Sequence, residues 1–241
     1  MTTQEFSTEF DVLYDNISSG QAPGLTEYEK SIFLTKAQSE IIKNYFNPKG
    51  NKYQEGFDDS PKRQIDFSML IRTTKCQVTT SDFPLHDASN SAFYNIPDDI
   101  LVYINEFVEV TRNSKTIKLV TIPLSFTEYN RLMSKPFKRP LKNQAWRLMC
   151  NVSSTEEIVQ LIPGPNDTIT DYIVRYIKRP NPIILEDLTN ENLSIEGEEI
   201  ITECELDPIL HQEILQRAVE LAKAAYTGDV TSAVELGNRS E

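Results

Sequence analysis

Histidine and cysteine are scarce in this chain, and their scarcity removes several classes of chemistry. The two histidines are His86 and His211. Neither is joined by a second metal-type ligand at helical spacing, so no zinc or iron motif is present. His211 sits beside Gln212 in the first turn of the last expected helix, where a partner or surface role fits better than catalysis. The three cysteines, Cys76, Cys150 and Cys204, are far apart and form no CxxC pair. That pattern gives neither a disulfide framework nor a zinc ribbon. It reads as buried reduced thiols and favours folding in a reducing compartment. Glycine is short too, with 8 residues against 13 prolines, which leaves little material for loops that cradle phosphate. There is no P-loop, no GxGxxG, no GxSxG and no kinase signature. We therefore expect no cofactor and no enzymatic activity.

Positive charge is also in deficit. The chain has 24 Lys and Arg against 36 Asp and Glu, a net charge of −12. An acidic chain repels phosphate backbones, so nucleic acid is not the expected main partner unless a local patch overrides the average. No run of about 18 apolar residues is present, and the polar start MTTQEFSTEF has no signal-peptide pattern. We expect a soluble protein without membrane insertion. Paired carboxylates occur at Asp58-Asp59 and Asp98-Asp99. Neighbours on a strand point to opposite faces, so Asp98-Asp99, after Pro97, reads as a turn or helix start rather than an acid–base pair.

What is present is organised. The 241 residues are enough for one large domain or two small ones, with a core that needs no staples. Phe6, Phe10, Leu13, Tyr14 and Ile17 recur at helical spacing, and the 18–24 stretch SSGQAPG ends that helix. Thr26 and Glu29 form a capping box for a helix that Asn47-Pro48 stops, with Phe33, Ala37, Ile41 and Tyr45 on one stripe. Residues 49–63 read as a long polar loop. From 64 to 185 the character changes to β-branched and aromatic runs, with strands expected at 101–112, 116–122, 145–152, 157–162 and 172–178. Asn113-Ser114 suits a hairpin turn, and residues 163–166 (PGPN) form a firm one. Ser125 and Glu128 cap a short helix at 125–133. Residues 186–205 are acidic and loop-like, with a short strand expected at 199–204. Asp207-Pro208 then starts a helix lined by Leu210, Ile214, Ala218, Leu221 and Ala225, which Gly228 ends.

The expected fold class is therefore α+β: a helical bundle from the N- and C-terminal helices with a central β-rich domain. The expected division is 1–63 (helices and polar loop), 64–185 (β-rich domain) and 186–241 (acidic connector, C-terminal helix packed on the N-terminal helices, and tail).

One charge feature stands against the acidic background. Lys135, Lys138, Arg139, Lys142 and Arg147 fall within a stretch that has no acidic residue, interleaved with Pro136, Phe137, Pro140 and Trp146. This basic segment has three readings: contact with DNA phosphates, contact with an acidic neighbouring subunit, or a solvated loop around a buried tryptophan. Downstream, no Lys or Arg lies between Arg179 and Arg217, while Asp and Glu are frequent. In a ring of identical subunits the two segments could meet head to tail.

The stretches APGLTEYEKSIFLTKAQSEIIKNYF (22–46), FYNIPDDILVYINEFVEV (93–110), DYIVRYIKRPNPIIL (171–185) and ELDPILHQEILQRAVELAKAA (205–225) resemble virion proteins of crAss-like phages of gut Bacteroidales. Those are similar in layout to the head-to-tail adaptor, or tail tubular protein A, of short-tailed phages. The resemblance implies a non-enzymatic structural protein of the virion neck or tail, assembled in the host bacterial cytoplasm. It implies a homo-oligomeric ring, usually of twelve copies, with a portal protein above, further tail or ring proteins below, and genomic DNA passing through the channel. Which ring of the neck is left open, and the 49–63 loop has no role that the resemblance supplies. A non-enzymatic assembly or scaffolding module is the alternative.

Overall fold

The computed structural model describes residues 1–15, 24–46, 61–79, 90–135, 139–150 and 157–227. The chain forms two compact units, one of residues 71–179 and one of residues 1–70 with 180–241.

The first unit is a closed barrel. Its strands are β1 (Ile71–Thr79), β2 (Ala92–Asn95), β3 (Ile100–Arg112), β4 (Lys115–Pro123), β5 (Gln144–Met149), β6 (Ile158–Ile162) and β7 (Thr168–Lys178), in the spatial order β1-β2-β6-β5-β4-β3-β7. All neighbours are antiparallel except β4 and β5. A parallel pair cannot be joined by a tight hairpin and needs a crossover. Residues 124–143 supply it, with helix α4 (Phe126–Met133) inside them. Asn113 and Ser114 take left-handed φ values of 50° and 60° between β3 and β4, the mirror-image turn that matches strand twist.

Alternation along the strands fills the lumen. Tyr172, Val174 and Tyr176 of β7 meet Val108 and Val110 of β3, Leu119 of β4, Ala145 of β5, and Val159 and Leu161 of β6. The opposite face of β5 is covered as well. Trp146 and Leu148 pack with Ile162 under Tyr129 and Leu132 of α4, and the Tyr129 and Trp146 rings meet edge to face at 6.4 Å. Covering both faces explains why β5 and β6 read as nearly continuous buried runs.

The second unit holds α1 (Thr3–Asp15), α2 (Glu27–Phe46), α3 (Pro61–Asp66) and α5 (Pro208–Thr227). Thr26 and Glu29 cap α2 reciprocally, Thr26 N to Glu29 Oε2 at 2.9 Å and Glu29 N to Thr26 Oγ1 at 3.3 Å, and Asp207 accepts the Ile209 amide at the start of α5. His211 is buried, its ring tilted at 44° to that of Phe6 with centroids 5.3 Å apart, and it bonds the Leu206 carbonyl, a packing role.

A helical bundle with a central β-rich domain is not the architecture. The β residues close into a barrel of seven strands, and α2 does not spend its second face on another helix. Ser31, Thr35 and Gln38 lie on that face and are buried. Ser31 Oγ accepts the Leu185 amide at 3.0 Å, Thr35 Oγ1 accepts the Ile183 amide at 3.1 Å and donates to its carbonyl, and Gln38 Nε2 donates to the Asn181 carbonyl at 2.9 Å. An extended segment has no internal hydrogen bonds, so its buried peptide groups need such partners. Two smaller expectations also change. A helix at 61–66 runs from the end of the expected 49–63 loop into the expected β-rich domain, and 199–204 contains a single bridge, Ile184 to Thr202, in place of a strand. Residues 47–60 and 228–241 lie outside the described residues.

Thr35→Val keeps the shape of the side chain and leaves the Ile183 amide without its acceptor. We expect it to destabilise the full chain by about 1–3 kcal/mol. Urea unfolding checks this, with the midpoint falling and the slope unchanged.

Candidate functional site

The basic segment divides when it folds. Lys135, Arg139 and Lys142 are exposed, and none of them forms an ion pair among the described residues. Lys138 lies outside those residues. Arg147 goes the other way: on β5 it alternates with Trp146 and Leu148, and because those cover the outer face, Arg147 enters the lumen beside Ala145.

Inside the barrel Arg147 and Glu106 are each 8% exposed. Arg147 Nε lies 3.3 Å from Glu106 Oε2, and its guanidinium sits 4.5 Å from the Tyr103 ring centre. Tyr172 donates its hydroxyl to Glu106 at 2.8 Å. Burial raises the Glu106 carboxyl above its ordinary value, against the opposing pull of Arg147 and the Tyr172 hydrogen bond. Burial also pushes the nearby Cys76 thiol up to about 12, with the Glu106 charge adding to it. A thiol held so firmly protonated is a poor nucleophile. The cluster is a charged plug in an aromatic lumen. Among the described residues no group of His, Cys, Asp and Glu could hold a metal ion.

The exposed part of the segment is anchored at one end of the barrel. Arg112, the last residue of β3, donates to Asp167 through Nε at 2.5 Å and through one terminal nitrogen at 2.6 Å, and also donates to the Lys142 carbonyl at 2.6 Å. A bidentate arginine–carboxylate pair fixes direction as well as distance. Asp167 is buried and closes the 163–167 turn through its amide to the Gly164 carbonyl at 3.1 Å. A Cβ at Gly164 would meet Asp167 Oδ2 at 3.1 Å, so a side chain there would crowd the carboxylate that Arg112 holds. A cavity of about 320 Å³ lies between Arg112, Asn113, Pro140, Lys142 and the turn. The sequence singled out Lys142 but missed Arg112 and Asp167. The signal was available only in part: the PGPN turn was legible, but the partner of Asp167 depends on how β3 and β7 meet.

Apolar side chains border the exposed cations. Leu141 is 67% exposed and Val120 53%, and the Val120 amide bonds the Asn143 carbonyl beside Leu141 and Lys142; Met133, at the end of α4, is exposed as well. Lysines and arginines among solvent-facing apolar residues make a surface suited to a protein partner rather than to small-molecule chemistry.

Removing one partner of a buried pair leaves an uncompensated charge, whereas replacing both by apolar groups can be neutral. Glu106→Ala is expected to cost about 3–5 kcal/mol, and Glu106→Leu combined with Arg147→Met far less. Guanidinium unfolding of both single variants, Glu106→Leu and Arg147→Met, and of the double variant measures the difference; a double-variant loss equal to the sum of the two single losses would mean that the two charges are not coupled.

Comparison with known proteins gives this architecture a setting. Over residues 1–234 the chain matches the family model described as phage tail ring protein 3/4. It is 54% identical over 243 residues to ring protein 4/5 of Bacteroides phage crAss001, an alignment that covers all of both chains. It is 35% identical over 240 residues to ring protein 3 of the same phage, covering 95% of this chain and 99% of the relative. Both relatives are named as ring proteins of a phage, which places this chain among structural ring proteins of the virion, and no described helix is long and apolar enough to cross a membrane. This chain belongs to the phage tail ring protein 3/4 family.

Proposed function

We propose that the chain forms a closed ring of twelve identical copies in the neck of a crAss-like phage, between the portal and the lower tail, with genomic DNA leaving through its bore. The copies assemble in the host cytoplasm and carry out no catalysis. The observation that carries this reading is the correspondence with ring proteins along the whole chain. Relatives numbered 3 and 4/5 within one phage support a place among several rings rather than the role of a sole portal adaptor.

The physical features support the same reading. A ring subunit has to hold its shape under load, and a small closed barrel has no free sheet edge through which to slip or aggregate. The net charge of −12 suits a bore through which DNA slides without being gripped. The Arg147–Glu106 pair is shielded inside the barrel and is not offered to DNA.

Electron cryo-microscopy of the intact particle tests the proposal. The expected result is twelve copies of this chain in one layer of the neck around the DNA channel. A layer with a different copy number would correct the stoichiometry. Absence of the chain from finished particles would favour the alternative role of an assembly or scaffolding factor and defeat the ring.

A further inference from the structure

The acidic connector contains an apolar element that the ring reading alone does not explain. Residues 195–198 form a tight two-residue turn. Ile195 and Glu198 exchange backbone hydrogen bonds at 2.9 and 3.0 Å, and Glu196 and Gly197 take φ values of 53° and 92°. Ile195 is buried with Ile184 and Leu188, and Tyr28 and Ile32 of α2 pack against them. The chain is tied down again after the turn. The Glu199 carbonyl accepts the Leu188 amide at 2.8 Å, and Thr202 exchanges backbone bonds with Ile184 at 3.2 Å in each direction.

Between those two ties stand Ile200 and Ile201, 58% and 52% exposed. A single exposed isoleucine is ordinary, but two in succession on a backbone pinned at both sides present a fixed apolar knob to solvent. Around it Glu196, Glu198, Glu199 and Glu203 are all exposed. No Lys or Arg occurs from 180 to 216 to neutralise them.

The barrel surface described above is the chemical inverse. It carries apolar Leu141 and Val120 with exposed Arg139 and Lys142, and its backbone is pinned by the Arg112 bond to the Lys142 carbonyl and the Val120 amide bond to the Asn143 carbonyl. An apolar knob rimmed by carboxylates and an apolar patch rimmed by cations match in both hydrophobicity and charge. When two unlike patches of one chain are complementary, the contact is heterologous, and repeated around an axis it generates a ring.

We infer that the Ile200–Ile201 knob of one copy docks on the surface formed by Arg139, Leu141, Lys142 and Val120 of the next copy, and that this contact is part of the head-to-tail interface of the ring. The inference rests on the proposed ring function and names the surfaces that build it. The apolar contact supplies area, and the charged rims set register and partner. The rims are solvent-exposed, so the contact weakens as salt is raised.

Two double variants of the full chain test it: Glu198→Lys with Glu199→Lys, and Arg139→Glu with Lys142→Glu. Each serves as the only source of this chain during particle assembly, and copies per purified particle are counted by quantitative mass spectrometry. All four residues are exposed, so far-UV circular dichroism and melting temperature should match the wild type. Each double variant is expected to lower incorporation by about tenfold or more, and the chain carrying all four substitutions should recover it. In wild-type particles made from mixed light and heavy isotopes, carbodiimide should join Glu198 or Glu199 of one copy to Lys142 of another. The inference is overturned if both double variants incorporate normally. It is also overturned if only the barrel variant fails and the fourfold variant is not rescued, because that assigns the basic surface to DNA or another protein. Failure of the ring reading itself would show separately, as absence of the wild-type chain from particles.

Discussion

The parallel step between β4 and β5 governs the rest of the barrel. Six of its seven strand pairings are antiparallel, and a sheet that must close on itself with one parallel pair needs a long excursion at that point. The 124–143 crossover is that excursion. Its helix lies over the outer face of β5, which forces Trp146 and Leu148 outward against Tyr129 and leaves Arg147 facing the lumen. A cation there requires an anion, and Glu106 on β3 provides it with help from Tyr172. The tail of the same crossover emerges at the end of the barrel, where Arg112 catches the Lys142 carbonyl. One topological necessity therefore produces the outer apolar cluster, the buried ion pair and the exposed basic surface.

The other unit solves a different problem with similar means. An extended segment packed against a helix must find partners for its peptide groups, and α2 offers Ser31, Thr35 and Gln38 along one face to meet them. The segment so held leads into the pinned turn that exposes Ile200 and Ile201. Polar side chains that look like defects in an amphipathic helix are here the means of placing a surface element. Each unit thus spends buried polar groups on fixing the backbone beneath an exposed patch.

Local chemistry was legible in the sequence wherever one or two residues decide it. The capping box of Thr26 and Glu29, the Asp207 cap, the Asn113-Ser114 hairpin and the PGPN turn all appear where their spacing placed them. Non-local chemistry was not. The short strand β2 has only Ala92–Asn95, and β1 exposes most of its side chains, so neither carries enough pattern to announce a strand; without them the barrel could not be inferred. The buried polar face of α2 was hidden for the same reason, since its partners are more than 140 residues away. Arg147 was grouped with its sequence neighbours as a surface cation because its burial depends on α4 covering the opposite face. The family resemblance compensated for part of this, because it rests on long stretches rather than on single pairs.

The account depends on both surface patches being built before the subunits meet. Hydrogen–deuterium exchange of the free full-length chain tests this most directly. The account predicts that amides of Gln144–Met149 in β5, and those of Ile195, Glu198 and Thr202 in the pinned turn, are already slow in the isolated subunit. Assembly should then add protection only at the exposed apolar residues around them. Exchange of these amides at the rate of an unstructured chain, with protection appearing only in the ring, would show that the patches fold on contact and would contradict it.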